Sequence, residues 1–149
     1  KHWKSIEVNY KKANYFSEVS SFLRPIYLQN EYSHLSSINL SFIKEICNYL
    51  GITTKISLSK DYLLKNGKTN RLANLTSDVG GSIYVSGISA KNYLDEDIFN
   101  KMGIKVEWFN YSNYPTYDQL WDGFVHQVSI IDLLFNCGKK SLNYMKSFE

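Results

Sequence analysis

At Gly51 the hydrophobic period of the chain changes, and that change restricts the fold more than any other feature of the sequence. Before it, apolar residues recur at helical spacing in three stretches. Residues 2–13 place Trp3, Ile6 and Tyr10 on one face below His2, and residues 15–30 do the same with Phe16, Val19, Phe22, Leu23 and Ile26. The third stretch, "SSINLSFIKEICNYLG", carries Ile38, Phe42, Ile43, Ile46 and Leu50, and closes at Gly51, a natural left-handed cap. Pro25 predicts a strain or kink in the second helix, because its nitrogen has no proton to donate.

Beyond Gly51 the apolar residues come in short runs separated by helical segments. "ITTKISL" alternates as a strand does, "SIYVSG" reads as a strand buried on both faces, and "IKVEWF" reads as a third strand. Helices are expected over 68–79, with Leu72, Leu75 and Val79 inward, and over 95–102, where acidic residues suit the first turn. Strands alternating with helices predict parallel neighbours at 53–58, 82–86 and 104–109. The fold class is therefore α/β: a small parallel sheet of Rossmann-like βαβ units, a helical N-terminal part and C-terminal helices made from "VSIIDLLFNCG" and "KKSLNYMKSF". A chain of 149 residues without repeats or long linkers reads as one domain.

Composition narrows the partners. The formal charge of +3 and the isolated pairs Lys11–Lys12 and Lys139–Lys140 lack the concentrated footprint that nucleic acid requires. No apolar run approaches the roughly 20 residues of a membrane span, and the chain does not open on a signal peptide. Cys47 and Cys137 have no CxxC spacing, so they read as reduced core residues in a cytoplasmic protein. His2, His34 and His126 have no metal-ligand spacing, so no metal site is expected, and the sequence names no cofactor. The twelve tyrosines either fill the outer core with their hydroxyls in water or line a sugar or base site.

Ligands of open parallel sheets sit beyond the carboxyl ends of the strands. Ser86, Gly87, Ser89, Lys91 and Tyr93 leave the end of the middle expected strand, with Gly87 letting the backbone turn. Lys68, Thr69 and Arg71 follow the first one. Cations and hydroxyls converging there suit a phosphate or a carboxylate; the alternative is an ordinary solvated surface. Gly67-Lys68-Thr69 is not a phosphate loop, because Tyr62 stands where the first glycine of GxxxxGK[ST] belongs. Gly80-Gly81 precedes a strand, so it ends a helix and is no dinucleotide fingerprint. Asp132, among the apolar residues of "SIIDLLF", reads either as a hydrogen-bond hub or as a tuned base. His126 reads as a base or as a structural residue flanking that helix.

The run from "HWKSIEVNYKKANYF" through "GKTNRLANL", "YVSGISAKNYLDEDIF" and "GIKVEWFNYSNYPTYDQLW" to "SIIDLLFNCG" resembles the WbqC-like family of bacterial proteins. Its members are associated with O-antigen and other surface-polysaccharide gene clusters. The resemblance implies a step on a nucleotide-linked sugar, acyl or aminoacyl transfer among the possibilities, or a non-catalytic binding or assembly role in the same pathway. It places Lys68, Thr69 and Arg71 in a K-T-x-R-L pattern, and Ser86, Gly87, Ser89, Lys91 and Tyr93 in Y-x-S-G-x-S-x-K-x-Y. Tyr114, Pro115, Tyr117 and Gln119 fall in Y-P-x-Y-x-Q, and Asp132 in S-x-x-D-L-L-F-N-C-G. The implied roles are anion binding by Lys68, Arg71 and Lys91, and stacking by Tyr114 and Tyr117. Asp132 and His126 are the candidate catalytic groups. Ala90 departs from the glycine expected in the "SGxSGK"-like loop. The motif QPxYxPWxGYF does not precede "HWK" here, so the chain is expected to be the C-terminal two-thirds of the family pattern. A preceding segment or another pathway protein is then a candidate partner.

Overall fold

A computed structural model describes residues 1–28 and 32–146. Contacts within the chain divide it into two units, residues 1–54 with 113–149, and residues 55–112.

The first unit is helical. Helix α1 spans His2–Tyr10, α2 spans Phe16–Leu28, α3 spans Leu35–Leu50 and α6 spans Ile130–Cys137. Their apolar stripes meet in a core of Trp3, Ala13, Val19, Leu23, Leu50, Leu134 and Phe135. Val19, Leu23, Leu134 and Phe135 are fully buried, each contributing about 1.5–3 kcal/mol of transfer free energy. Trp3 is buried between Phe16 and Tyr27, and its indole N–H has no hydrogen-bond partner among the described residues. Gly51 takes φ 73°, and Ile52 N–H reaches back to the Cys47 carbonyl at 2.8 Å, closing α3 as expected. Helix α2 continues through Pro25 to Leu28, leaving the Ser21 carbonyl without its usual donor four residues on. Tyr10, Tyr15, Tyr27 and Tyr49 pack against this core, as extra tyrosines often do. Tyr10 and Tyr49 donate their hydroxyls to Asp132 and Glu18 instead of to water. The C-terminal expectation holds only as far as Cys137: from Gly138 to Tyr144 the chain tightens into a 3-10 helix.

The second unit carries helix α4 (Lys68–Asp78), strand β1 (Ile83–Gly87), helix α5 (Glu96–Lys101) and strand β2 (Lys105–Phe109). The strands pair in parallel, Ile83 opposite Lys105 through to Gly87 opposite Phe109, with α5 in the connection. One face of the pair, formed by Tyr84, Val106 and Trp108, covers Ala73, Leu94, Phe99 and Ile104 from the helices and their flanks. Tyr84 stacks on Phe99 at 4.8 Å. Helix α4 ends as the paired glycines predict, with Gly80 at φ 72° and Gly81 N–H on the Thr76 carbonyl.

Expectations are corrected at four places. Val79 lies past the last turn of α4 and is 56% exposed, not inward, and Ile43 on α3 is 50% exposed, outside the buried stripe. Residues 53–58 form no strand. Their polar groups bond locally: Asp61 accepts the Leu58 N–H at 3.2 Å, and Tyr62 OH donates to Ser57 Oγ at 2.9 Å. A 3-10 turn at Ser59–Asp61 follows at once. Side chains that offer the backbone a local partner compete with a ladder. Strand β1 is also not buried on both faces, since Ile83 and Val85 remain 48% and 41% exposed. With two strands, the helices cover one face only.

Candidate functional site

The conspicuous polar feature of the first unit is built on α6. Ser129 caps its start, accepting the Ile131 N–H, so Asp132 falls in the first turn and points into the core. Asp132 is only 5% exposed. A carboxylate at that depth is costly unless its lone pairs are engaged, and here both oxygens are. Tyr10 OH donates to Oδ1 at 3.0 Å, while Tyr117 OH and Gln119 Nε2 donate to Oδ2 at 2.7 and 3.0 Å. The geometry is that of the hydrogen-bond hub. Gln119 also exchanges two bonds with the Val125 backbone, at 3.0 and 2.9 Å, so the hub organises the loop before α6. Burial, reinforced by the Asp132 carboxylate, pushes the Tyr10 phenol up to about 12 and raises Tyr117 further. The Tyr117 ring is packed edge-on by Phe124 and Tyr144. Lys146 lies over the Tyr114 ring at 5.1 Å. His126 is exposed and meets the Phe124 ring edge-on at 4.7 Å.

Beside the hub, the Asn14–Tyr15 turn and the end of α6 are locked together. Tyr15 N–H donates to the Phe135 carbonyl at 3.0 Å, and the Tyr15 ring lies directly on Gly138. Gly138 adopts φ 56°, ψ −137°, which suits glycine alone, and a Cβ there would collide with that ring. The junction leaves a cavity of about 200 Å³ lined by Asn14, Tyr15, Asp118, Asn136, Cys137, Lys140 and Tyr144. Burial, then the Asp118 and Asp132 carboxylates, raise the Cys137 thiol pKa, with Lys140 opposing. Cys137 is thus a neutral thiol in the wall, and both cysteines are free.

In the second unit, Lys68, Thr69 and Lys91 are each tied to the segment that follows β1 or to the end of β2. Lys91 lies in a 3-10 turn, Ile88–Asn92, directly after β1, and its ammonium sits over the Trp108 ring at 5.2 Å. Trp108 Nε1–H donates to Glu96 at 3.0 Å, which fixes the indole. Lys68 opens α4 and sits over the exposed Tyr93 ring at 5.7 Å. Thr69 is buried; its hydroxyl donates to the Tyr93 carbonyl at 3.5 Å and accepts the Asp95 N–H at 3.3 Å, tying α4 to this segment. Arg71 is exposed, with Nε toward the Lys65 carbonyl. Ser86 pairs with Trp108 across the sheet, and Ser89 is exposed in the turn. Gly87 has an ordinary extended conformation, φ −71° and ψ 147°, so its glycine is not needed to turn the chain. Its space is needed: a Cβ would lie 3.2 Å from the Tyr111 hydroxyl.

Lys68 and Lys91 therefore meet two different rings, both near the segment after β1. Sequence reasoning did not pick out Trp108, Tyr10, Asn14 or Asp118 as site residues, although Tyr10 stood in the apolar stripe of α1 and Trp108 in an expected strand. Only Trp108 had a local signal, its place at the end of an apolar strand. No group of three or more His, Cys, Asp or Glu suited to a metal occurs among the described residues, and none of their helices is long and apolar enough to cross a membrane.

By fold this is an α/β protein with a small parallel sheet. By sequence the chain belongs to the WbqC-like protein family, which it matches over residues 1–144. The match does not single out the C-terminal two-thirds of the family pattern, as the motifs had suggested. The chain is also similar to "Uncharacterized protein Rv1507c" of Mycobacterium tuberculosis, at 46% identity over 145 residues, or 97% of this chain. It spans 63% of that protein's length. No solved structure matches it.

Proposed function

We propose that the protein acts on a nucleotide-linked sugar in bacterial surface-polysaccharide (O-antigen) biosynthesis, in the cytoplasm, as an acyl or aminoacyl transferase. Family membership supports the pathway. The observation that carries the ligand class is the cation-and-ring arrangement at the carboxyl end of the β1–β2 pair: Lys91 over Trp108 and Lys68 over Tyr93. Among the described residues neither ammonium has a carboxylate within ion-pair distance. An ammonium resting on an aromatic face is attracted weakly where exposed, and it stays available to a diphosphate. The rings offer surfaces for a base. Ser86, Ser89 and Arg71 belong to the same reading as hydroxyl and cation donors.

A non-catalytic binding or assembly component of the same pathway is the second reading. What favours it is Asp132, whose two oxygens are both held by donors, so that neither stands free as a base.

Calorimetric titration with UDP-glucose and UDP-N-acetylglucosamine tests the proposal. Replacing Lys91 by Ala should weaken binding about tenfold, roughly 1.4 kcal/mol, while the thermal midpoint stays put because the side chain is exposed. Unchanged affinity in that variant sinks the assignment. Consumption of an acyl donor in the presence of bound sugar distinguishes the transferase from the binder.

A further inference from the structure

The cavity at the end of α6 has a composition that the hub does not require. Its walls bring two carboxamides (Asn14 and Asn136), a carboxylate (Asp118), an ammonium (Lys140) and two phenol rings (Tyr15 and Tyr144) around the Cys137 thiol. No hydrogen bond or ion pair within the described residues engages the side chains of Asn14, Asp118 or Lys140. Asn136 donates its Nδ2–H to the Asp132 carbonyl at 2.8 Å, which fixes the amide and leaves its oxygen to accept. The frame is tied together by the Tyr15–Phe135 bond, the Tyr15 ring on Gly138 and the Ser141 hydroxyl on the Leu133 and Gly138 carbonyls.

We infer that this cavity is a subsite for a single pyranose ring. Its volume, about 200 Å³, falls below the roughly 300 Å³ at which pockets for drug-sized ligands begin. That is room for one sugar ring. Planar amide and carboxylate groups present paired donors and acceptors to adjacent hydroxyls, whereas phenol rings receive the C–H face of a sugar. Asp118 and Lys140 extend the class to amino sugars and uronic acids, by pairing an ammonium or a carboxylate on the ring. The inference rests on the nucleotide-sugar reading for its ligand class, but it concerns different residues and is read out separately.

The test is a titration of the ¹⁵N-labelled full chain, followed by NMR, with glucose, glucosamine, N-acetylglucosamine and glucuronate, and with glycine as a small zwitterion. At least one sugar should give saturable shifts in the Asn14 and Asn136 side-chain amides and in the backbone of 136–140. Asp118→Ala and Asn14→Ala should each weaken that binding several-fold or more, and the rest of each spectrum should match the parent, since both residues are exposed. No shift with any sugar, shifts that survive both substitutions, or shifts with glycine alone would overturn the inference. Sugar binding here together with a Lys91→Ala variant of normal nucleotide-sugar affinity would keep the subsite and remove the sheet-end assignment. Loss of nucleotide-sugar affinity on Lys91→Ala with a silent cavity would do the reverse.

Discussion

Asp132 shows how far a single residue can be read from sequence. A carboxylate inside "SIIDLLF" had to be satisfied or functional, because burial penalises an unpaired charge. Its partners were not legible. Tyr10 lies 122 residues away in sequence, and nothing local marks it as a donor. Removing that donor by Tyr10→Phe should cost about 1.5–3 kcal/mol, the usual range for a hydrogen bond to a charged group. It should also change the alkaline limb of stability. The phenol is raised from 10.0 to about 12, by burial first and then by Asp132. Below pH 10 the contribution is fully present. Between pH 10 and 12 the unfolded chain loses the proton while the folded chain keeps it, so stability falls as pH rises. Urea midpoints collected across that window should decline less steeply in Tyr10→Phe than in the parent. Part of the decline will persist, because Tyr49 and Tyr117 are raised as well. A parallel decline in both proteins would mean that Tyr10 is not the group responsible.

Among the elements, those with a long periodic pattern were legible and the short ones were not all so. Helix α3 and its Gly51 cap follow from sequence because sixteen residues repeat one stripe and a glycine ends it. "ITTKISL" alternates just as well as β2 does, yet it stays out of the sheet, because Asp61 and Tyr62 capture its backbone and side chains locally. Binary pattern reports which side of a segment is apolar; it does not report whether a neighbouring strand is there to pair. Helix α5 is six residues long, too short to stand on propensity, and depends on its cap. Asp95 Oδ1 accepts the Asp97 N–H at 3.0 Å. Asp95→Ala should lower stability by about 1 kcal/mol, read as a shift in denaturation midpoint. Because α5 delivers the fully buried Phe99, an unaltered midpoint would show that packing alone holds this helix.

For the whole molecule, fold class and family were readable because period and motif order extend along most of the chain. The location of the polar cavity was not. It depends on a turn at Asn14 meeting residues beyond 117, a proximity that no local signal records. Protection against hydrogen exchange should mirror the burial map, with the slowest amides in α2 around Val19 and Leu23 and in α6 around Leu134 and Phe135, all fully buried. Amides of 62–67, exposed and without regular structure apart from the partly covered Tyr62, should exchange first. Equal protection in these two regions would contradict the burial described above. The indole of Trp3 has an optical consequence. Enclosed by rings and with no partner for its N–H among the described residues, it should emit at the blue end of the tryptophan range, while Trp121, 66% exposed, should emit at the red end. The third tryptophan, Trp108, lies in the other unit, bonded to Glu96. With Trp121 replaced by Phe, the colour of the remaining fluorescence reports separately on the helical core and on the sheet, without any added label.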